Sequence, residues 1–338
     1  MKMMGNSFGS IGSSWENCEL GDLRLSKRAS MIASKMLEKP NSLIPQQMGS
    51  WAFTKACYQF LDNSSVSYGS LILPHLRETR KTTQRHEMVL CIHDTSDINF
   101  GMNSEIDGFS QVGKGLSKGY LLHSSLDVVS SPSPKVLGLL NQEIYYRKEK
   151  PYNESKKSRY CREKESDLWI NALRAIGASP SSTKYIDIMD RGADIYRIME
   201  ESILLRHDFI IRASHDRKLF TEEKRLFDLV RHAVPQGTVR LLVRKSQQHK
   251  KRIAKLKVTS KEIVIRPPYP FQNSSPLKCI MVYAKERRPP KSEDPIEWFI
   301  LSSLDGSSFE ESCRILDMYA MRWIIEEYHK CLKTGCRL

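Results

Sequence analysis

The stretch Tyr319–Lys333, which reads YAMRWIIEEYHKCLK, decides how the rest of the chain is interpreted. Residues three, four and seven positions apart lie on one side of a helix, so a single helix here would carry one polar stripe. That stripe would consist of Tyr319, Arg322, Glu326 and Lys333. Because a carboxylate can hold a divalent cation while nearby cations neutralise phosphate, the stretch predicts a metal-dependent phosphodiester site. An amphipathic surface helix with ordinary ion pairs is the alternative.

The composition is that of a folded, basic protein. Its 338 residues include 40% hydrophobic and 27% charged side chains, which allows two or three domains. The net charge of +14 favours a nucleic-acid partner, because the basic residues are spread among folded segments and no amphipathic membrane anchor stands out. No apolar run reaches the roughly 18 to 20 residues of a membrane-spanning helix. The eight cysteines lack paired spacing, so neither a zinc site nor a disulfide framework is indicated.

Hydrophobic periodicity divides the chain into a helical part and an α/β part. Residues 1–14 are expected to be disordered, and residues 15–80 to form a small helical domain whose periodicity is interrupted at Pro40, Pro45 and Pro74. Its first helix would have an apolar face of Leu23, Ala29, Ile32, Ala33 and Leu37. Later segments alternate, with predicted strands at 88–94, 118–129, 136–147 and 184–190 and predicted helices at 163–176 and 192–205. Residues 213–297 predict a mostly β insertion with short strands at 239–243, 254–258, 262–265 and 278–284, and with the basic run 244–252 at a hairpin tip.

The spacing Tyr-x2-Arg-x3-Glu-x6-Lys within 319–333 resembles the signature of DDE transposases of the insertion-sequence-four family. Two further stretches, VLCIHDTS at 89–96 and IDIMDRGADI at 186–195, look like the other two carboxylate motifs of that family. LGDLR at 20–24, with Lys55 and FLDN at 60–63, is similar to the family's end-binding domain. The resemblance runs in the family's order through most of the chain.

The resemblance implies a fold in two parts. A small all-α domain at 15–80 would bind DNA, and an α/β domain at 85–338 would be a ribonuclease-H-like catalytic core, interrupted by the β-rich insertion at 213–297. Asp94 would lie at the end of the first strand and Asp190 at the end of the fourth. Since ligand sites in open α/β sheets lie where strand ends converge, these two carboxylates are expected to meet.

The resemblance also implies the chemistry. Asp94, Asp190 and Glu326 would be the catalytic residues and would hold two Mg²⁺ or Mn²⁺ ions, which serve in-line phosphoryl transfer. Taken alone, an aspartate after a strand is more often a turn or helix-cap residue. Of the neighbouring acids, Asp187 should face the other side of its strand, and Asp194 should lie in the first turn of the following helix. The predicted DNA contacts are Tyr319, Arg322, Lys330, Lys333, Arg212, Trp298, Trp323, Arg24, Arg28 and Lys55. For the two tryptophans, stacking on a flipped base and simple packing remain open.

The expected function is that of a transposase that binds double-stranded transposon ends, cleaves them and joins them to target DNA. A cytoplasmic, nucleoid-associated location in a bacterium is expected. Family members continue beyond the position of Leu338 with a dimerisation region, so this chain is expected to be truncated and its homodimer is in doubt. The alternative is a catalytically inactive remnant that binds DNA ends or inhibits transposition. A metal-dependent nuclease of the ribonuclease-H type is a third reading.

Overall fold

Four helices form the first part of the chain in the computed structural model. Their bounds are Leu23–Glu38 (α1), Ile44–Met48 (α2), Trp51–Leu61 (α3) and Tyr68–Thr83 (α4). Helices α1, α3 and α4 begin after residues whose side-chain oxygens accept a backbone N–H, namely Asp22, Ser50 and Ser67. Their shared core includes Ala29, Ile32, Met48, Cys57 and Phe60. The prediction of a small helical N-terminal domain is confirmed.

The structure describes residues 14–102, 106–113, 115–130, 133–148, 151–155, 158, 162–220, 223–244, 251–269, 271–291 and 293–335. The predicted disordered segment 1–14 lies outside these residues except for Ser14. Most of the basic run 244–252 also lies outside them.

Two details of the helical domain differ from the prediction. Leu23, assigned to the apolar face of α1, is 81% exposed, whereas Leu25 packs against the core. Leu23 is the first residue of its helix, where the preceding turn offers no packing surface. Pro74, expected to interrupt the helical pattern, lies inside α4 and is buried.

One mixed sheet forms the centre of the remaining described residues. Its strands are β1 Met88–Asn99, β2 Ser110–Gln111, β3 Lys118–Val129, β4 Lys135–Tyr145, β5 Lys184–Met189, β6 Asp208–Arg212, β7 Gly237–Val243, β8 Arg252–Ile265, β9 Leu277–Glu286 and β10 Glu297–Ser302. The order is β2-β3-β1-β5-β6-β10-β9-β8-β7, with β4 beside β3. Strand β5 is parallel to β1 and β6, and the remaining pairs are antiparallel. The fold after the helical domain is therefore mixed α/β with a large sheet.

Helices cover both faces of this sheet. The later helices are α5 Asp167–Ile176, α6 Tyr196–Leu204, α7 Leu226–Arg231, α8 Phe309–Ala320 and α9 Trp323–Lys330. Helices α4, α8 and α9 pack on one face through Leu76, Ile315 and Ile325. Helices α5, α6 and α7 share a second core, to which Trp169 and Phe209 belong. No helix in the described part of the chain is both long and apolar enough to cross a membrane.

Several predicted elements have different bounds. Strand β1 continues to Asn99, five residues beyond its predicted end, and the helix predicted from 163 begins at Asp167. The helix predicted from 192 is a short 3-10 turn, Arg191–Ala193, followed by α6. Two strands predicted within 254–265 are the single strand β8, which pairs with β9 along the sheet.

Candidate active site and nucleic-acid interface

Asp94 and Asp190 lie side by side because of the register between two parallel strands. The last pair in the ladder of β1 and β5 is Ile92 with Ile188, and each aspartate follows its isoleucine by two positions. Neighbouring strands are separated by about 4.8 Å, so the two carboxylates reach the same edge of the sheet. Both line a cleft of about 410 Å³, together with Glu165 and Trp169. The structure therefore brings two of the three predicted catalytic carboxylates together.

The turn after β5 holds Asp190 in place. Its Oδ1 accepts a hydrogen bond of 2.7 Å from the backbone N–H of Gly192. A Cβ atom at position 192 would lie 3.1 Å from that oxygen, so glycine permits the tight turn. Burial raises the pKa of Asp190, and the neighbouring Asp94 carboxylate raises it further against the Gly192 hydrogen bond. Negative charge is thus concentrated at this edge of the sheet.

The guanidinium of Arg322 lies among the three predicted catalytic carboxylates. Its Nη1 is 3.7 Å from Asp94 Oδ1, and its Nη2 contacts Glu326 Oε1 one helical turn later. Although burial would lower the pKa of Arg322, the surrounding acidic groups, including Asp190, raise it. A cation of the protein therefore compensates the charge that Asp94, Asp190 and Glu326 bring to this place.

The three carboxylates are chemically suited to bind a hard divalent cation, but only two of them, Asp94 and Asp190, line the same cleft. Carboxylate oxygens are the donors that Mg²⁺ and Mn²⁺ prefer, and Asp94 and Asp190 present them to one cleft. Glu326 is directed to Arg322. Among the described residues, no group of three or more Asp, Glu, His or Cys side chains is arranged to hold a metal ion. Asp94 and Asp190 thus share one cleft, whereas the carboxylate of Glu326 is paired with Arg322.

The stretch that carries Glu326 is two helices and not one. Helix α8 ends at Ala320, Met321 and Arg322 form a turn, and α9 begins at Trp323. The N–H of Ile324 bonds to the carbonyl of Met321, a three-residue spacing that tightens the junction. The prediction of one continuous helix with a single polar stripe is therefore wrong.

The break gives the predicted phosphate contacts different surroundings. Tyr319 is 4% exposed, and its ring lies 5.1 Å from that of Trp298 in an edge-to-face arrangement. Lys330 is exposed, with its Nζ 3.9 Å from Glu327 Oε1. Lys333 lies in a π-helical turn that follows α9. Lys330 therefore lies at the surface and Lys333 is half-buried, whereas Tyr319 belongs to the core.

A larger open pocket of about 750 Å³ lies next to this site. Its lining combines three of the predicted DNA contacts, Arg212, Trp298 and Trp323, with Arg244. The Cζ atom of Arg244 is 3.5 Å from the centroid of the Trp323 ring, a cation–π arrangement. Both tryptophans are partly exposed, and both line this pocket. Aromatic faces beside guanidinium groups suit stacked bases and phosphates.

In the helical domain, the predicted DNA contacts differ in exposure. Arg24 is exposed and paired with Asp22 at the start of α1, where its Nη2 lies 2.9 Å from Asp22 Oδ2. Arg28 is half-buried. Lys55 is exposed on α3, on the same face as the exposed rings of Trp51 and Tyr58, which are four and three positions away.

The sequence interpretation missed two buried aspartate networks. Asp187 is fully buried in β5 and receives contacts of 3.1 Å from His93 and His207. Asp194, expected in the first turn of a helix, instead accepts hydrogen bonds from the backbone of Ser214 and His215. Alternation along β5 predicted that Asp187 faces away from Asp190. Its histidine partners lie on the neighbouring strand β1 and just before β6, far from Asp187 in sequence, so no local pattern indicates them.

Residues 11–66 match the family of transposase DNA-binding domains. Within the described residues the match covers α1, α2, α3 and the loop before α4. This finding supports a transposase and identifies DNA as a partner of the helical domain.

Proposed function

We propose that this protein is a DDE-type transposase that binds transposon-end DNA and catalyses its cleavage and transfer to target DNA. The observation that carries the proposal is the meeting of Asp94, within β1, and Asp190, just after β5, where the ladder between these two strands ends, beside Glu326 and Arg322. The match of residues 11–66 to transposase DNA-binding domains supports the same proposal, because transposition requires both DNA binding and DNA cleavage. Membership in the insertion-sequence-four family belongs to the same proposal.

The strand order supports a ribonuclease-H-like core. Three antiparallel strands in the order β4-β3-β1 are followed by β5, which is parallel to β1, and then by β6. The two aspartates follow the paired ends of β1 and β5. Strands β7, β8 and β9 extend the sheet through β10, which is consistent with an insertion between β6 and β10.

In this proposal Asp94, Asp190 and Glu326 would hold two Mg²⁺ or Mn²⁺ ions. When bound, such ions make an attacking oxygen more nucleophilic and stabilise the leaving oxygen of a phosphodiester. Arg322 is placed to exchange its carboxylate contacts for a DNA phosphate, to which its planar fork is suited. Lys330 and Lys333 would add phosphate contacts along the same strand.

The aromatic pocket would hold the end of the DNA. Trp298 and Trp323 offer stacking surfaces, and stacking of a base on an aromatic ring contributes about 1–3 kcal/mol. Such stacking can offset the energy of removing a base from the duplex. Arg212 and Arg244 would neutralise the phosphates that flank this base.

The test is a nicking assay on DNA that the protein itself selects. Duplexes that bind the protein are enriched from a random pool and placed in a supercoiled plasmid, and nicking is followed with Mg²⁺, with Mn²⁺ and with a chelator. We expect metal-dependent nicking that Asp94→Ala, Asp190→Ala and Glu326→Ala each abolish without loss of binding. Glu310→Ala, which changes an exposed acid on α8, is the matched control. Nicking that survives any of the three substitutions would remove that residue from the site.

A second candidate function is DNA-end binding without cleavage, either as a remnant or as an inhibitor of a complete transposase. The contact between Glu326 and Arg322 favours it, because the third carboxylate is then withheld from a metal ion. Under this reading the selected duplex binds with normal affinity but no metal supports nicking. Competition with an active transposase for the same duplex would then be the measurable activity.

A further inference from the structure

His329 connects the candidate active site to the interior of the protein. It lies on α9 and is 4% exposed. Its Nε2 is 3.1 Å from Ser124 Oγ, and its Nδ1 is 3.6 Å from Asp94 Oδ2. At that distance Nδ1 makes no hydrogen bond, and it is one of the few buried polar atoms without one in the described residues. A buried ring nitrogen directed at a carboxylate calls for an explanation.

The hydrogen bonds continue from Ser124 to the surface of the helical domain. The side-chain amide of Gln142, on β4, donates a 2.9 Å hydrogen bond to Ser124 Oγ. The hydroxyl of Tyr68, the first residue of α4, donates a 2.6 Å hydrogen bond to Gln142 Oε1. The same amide nitrogen of Gln142 donates to the hydroxyl of Tyr328, 2.8 Å away on α9. Gln142, on β4, thus joins α4 to α9, which pack on the same face of the sheet.

In this series of hydrogen bonds, each group donates towards His329. Gln142 uses its oxygen for Tyr68, so its NH₂ group faces Ser124, whose oxygen accepts. The single hydroxyl proton of Ser124 is then available to Nε2 of His329. An imidazole that accepts at Nε2 carries its proton on Nδ1, the atom that faces Asp94. The chain therefore presents an N–H group to the Asp94 carboxylate.

Helix α4 is held closely against strand β4, near the hydrogen bond between Tyr68 and Gln142. A Cβ atom at Gly138 would lie 2.2 Å from Thr79 Oγ1, so glycine is required for the close approach of β4 to α4. The N–H of Leu139 donates to His75 Nε2 at 3.0 Å. Helix α4 directly follows residues 11–66, the part that matches transposase DNA-binding domains. A shift of the DNA-binding part would reach Gln142 through Tyr68.

We infer that His329 is a positioning residue for Asp94, and that Tyr68, Gln142 and Ser124 set its orientation according to the placement of α4. This inference rests on the proposed function, in which Asp94 takes part in strand cleavage. It adds a physical link between the DNA-binding part and the active site. In general, a group that orients a metal-binding carboxylate changes metal affinity or activity about 10- to 100-fold when it is lost.

The experiment combines ring-nitrogen NMR of histidine-labelled protein with the nicking assay. At neutral pH we expect the His329 signals to show a proton on Nδ1 and none on Nε2, and Ser124→Ala to remove that preference. His329→Asn keeps a donor at the position of Nδ1, whereas His329→Gln places its amide towards Ser124. We expect His329→Asn to retain more nicking than His329→Gln or His329→Ala. That order would not result if the ring only filled space.

A matched pair of tyrosine variants tests the hydrogen bond between Tyr68 and Gln142. Tyr68→Phe removes the hydroxyl that bonds to Gln142, and Tyr196→Phe removes a hydroxyl whose bond to the Ser275 carbonyl is equally short, 2.6 Å. We expect only Tyr68→Phe to reduce nicking and to shift the His329 signals. Thermal unfolding and duplex binding of each variant verify that the fold is intact.

The outcomes separate the two proposals. A proton on Nε2 of His329 in the wild type, or equal effects of Tyr68→Phe and Tyr196→Phe on its signals, would overturn the inference whether or not the protein nicks DNA. Absence of nicking by the wild type with both metals would overturn the proposed cleavage, while the NMR measurement still decides the orientation of His329.

Discussion

Asp187 and Asp190 are three positions apart at the end of β5, yet their surroundings differ in every respect that decides the role of a carboxylate. Asp187 is fully buried and has charged or polar partners on each oxygen, from His93, His207 and Ser202. Asp190 lines a cleft, and its nearest acidic neighbour, Asp94, is a like charge. One group stabilises the fold, and the other is held where its charge is unfavourable.

The pKa values of the two groups express this difference. Burial alone would raise the pKa of Asp187, but His207 and His93 together lower it to about 2. The pKa of Asp190 is raised, by burial first and by Asp94 in addition. Perturbation against the ionised form, in a cleft and beside a like charge, is typical of functional sites. Partnered burial, as at Asp187, is typical of structural ones.

The largest expected effect is on the rate of nicking, and it follows substitution of the aspartates that line the cleft. Asp94→Asn and Asp190→Asn should each reduce metal-dependent nicking by about a thousandfold or more, because each removes a charged oxygen ligand from the proposed metal site. Initial rates of plasmid nicking provide the measurement. Asp228→Asn, which changes an exposed acid on α7, should nick normally. Loss of duplex binding in the Asp94 or Asp190 variants would show that the effect is not on catalysis.

On the buried side, Asp187→Asn should affect stability and not chemistry directly. Removing one member of a buried ion pair destabilises a protein by about 3–5 kcal/mol, because the remaining partner stays buried without compensation. Here two histidines would lose a negative partner, and one of its two acceptor oxygens would be replaced by an NH₂ group. The free energy of unfolding from urea titrations is the measurement. A change below about 1 kcal/mol would mean that His93 and His207 are neutral and that Asp187 contributes little.

Much of this comparison could be predicted from the sequence, and its limits have physical causes. Asp94 and Asp190 each lie in or after a β-rich run, and the resemblance of both stretches to the family's carboxylate motifs predicted that they meet. The contact of Arg322 with Asp94 could not be predicted, because it joins the turn before α9 to β1, and no local pattern relates these two places. Likewise, the exposure of Leu23 depends on where α1 begins and not on helical periodicity.

The break between α8 and α9 shows a second limit. A tight turn at Met321 and Arg322 leaves Ile315, Ile324 and Ile325 in one apolar core. Hydrophobic spacing is therefore compatible with both one continuous helix and two helices joined by a turn. The side-chain environment of Tyr319 depends on that distinction, so its burial could not be inferred from spacing.

The pairing of Asp187 with His207 should make the free energy of unfolding depend on pH, with an effect of about 2 kcal/mol. For Asp187 the folded-state pKa, about 2, lies below its ordinary value. Its contribution to stability is therefore complete above pH of about 4 and is lost as the pH falls towards 2. Burial alone would lower the pKa of His207, but the charge of Asp187 raises it overall. The contribution of His207 to stability is therefore lost as the pH rises through this raised pKa.

Urea titrations across these two pH ranges test this behaviour in the wild type and in Asp187→Asn. The variant should lose both dependences together, since the histidine and the aspartate act on each other. An acid-induced loss of stability that persists unchanged in Asp187→Asn would have to come from other carboxylates.

The smallest expected effect has the opposite sign. Asp190→Asn should raise the free energy of unfolding by about 0.5–1 kcal/mol in the absence of divalent ions, since removal of a strained functional group commonly stabilises the fold. The amide keeps an oxygen for the Gly192 N–H and removes the repulsion from Asp94. Mn²⁺ should reverse the order of stabilities, because an ion that binds only the folded wild type stabilises it by mass action. If Asp190→Asn instead destabilises the protein as Asp187→Asn does, Asp190 is a structural residue and the distinction between the two aspartates fails.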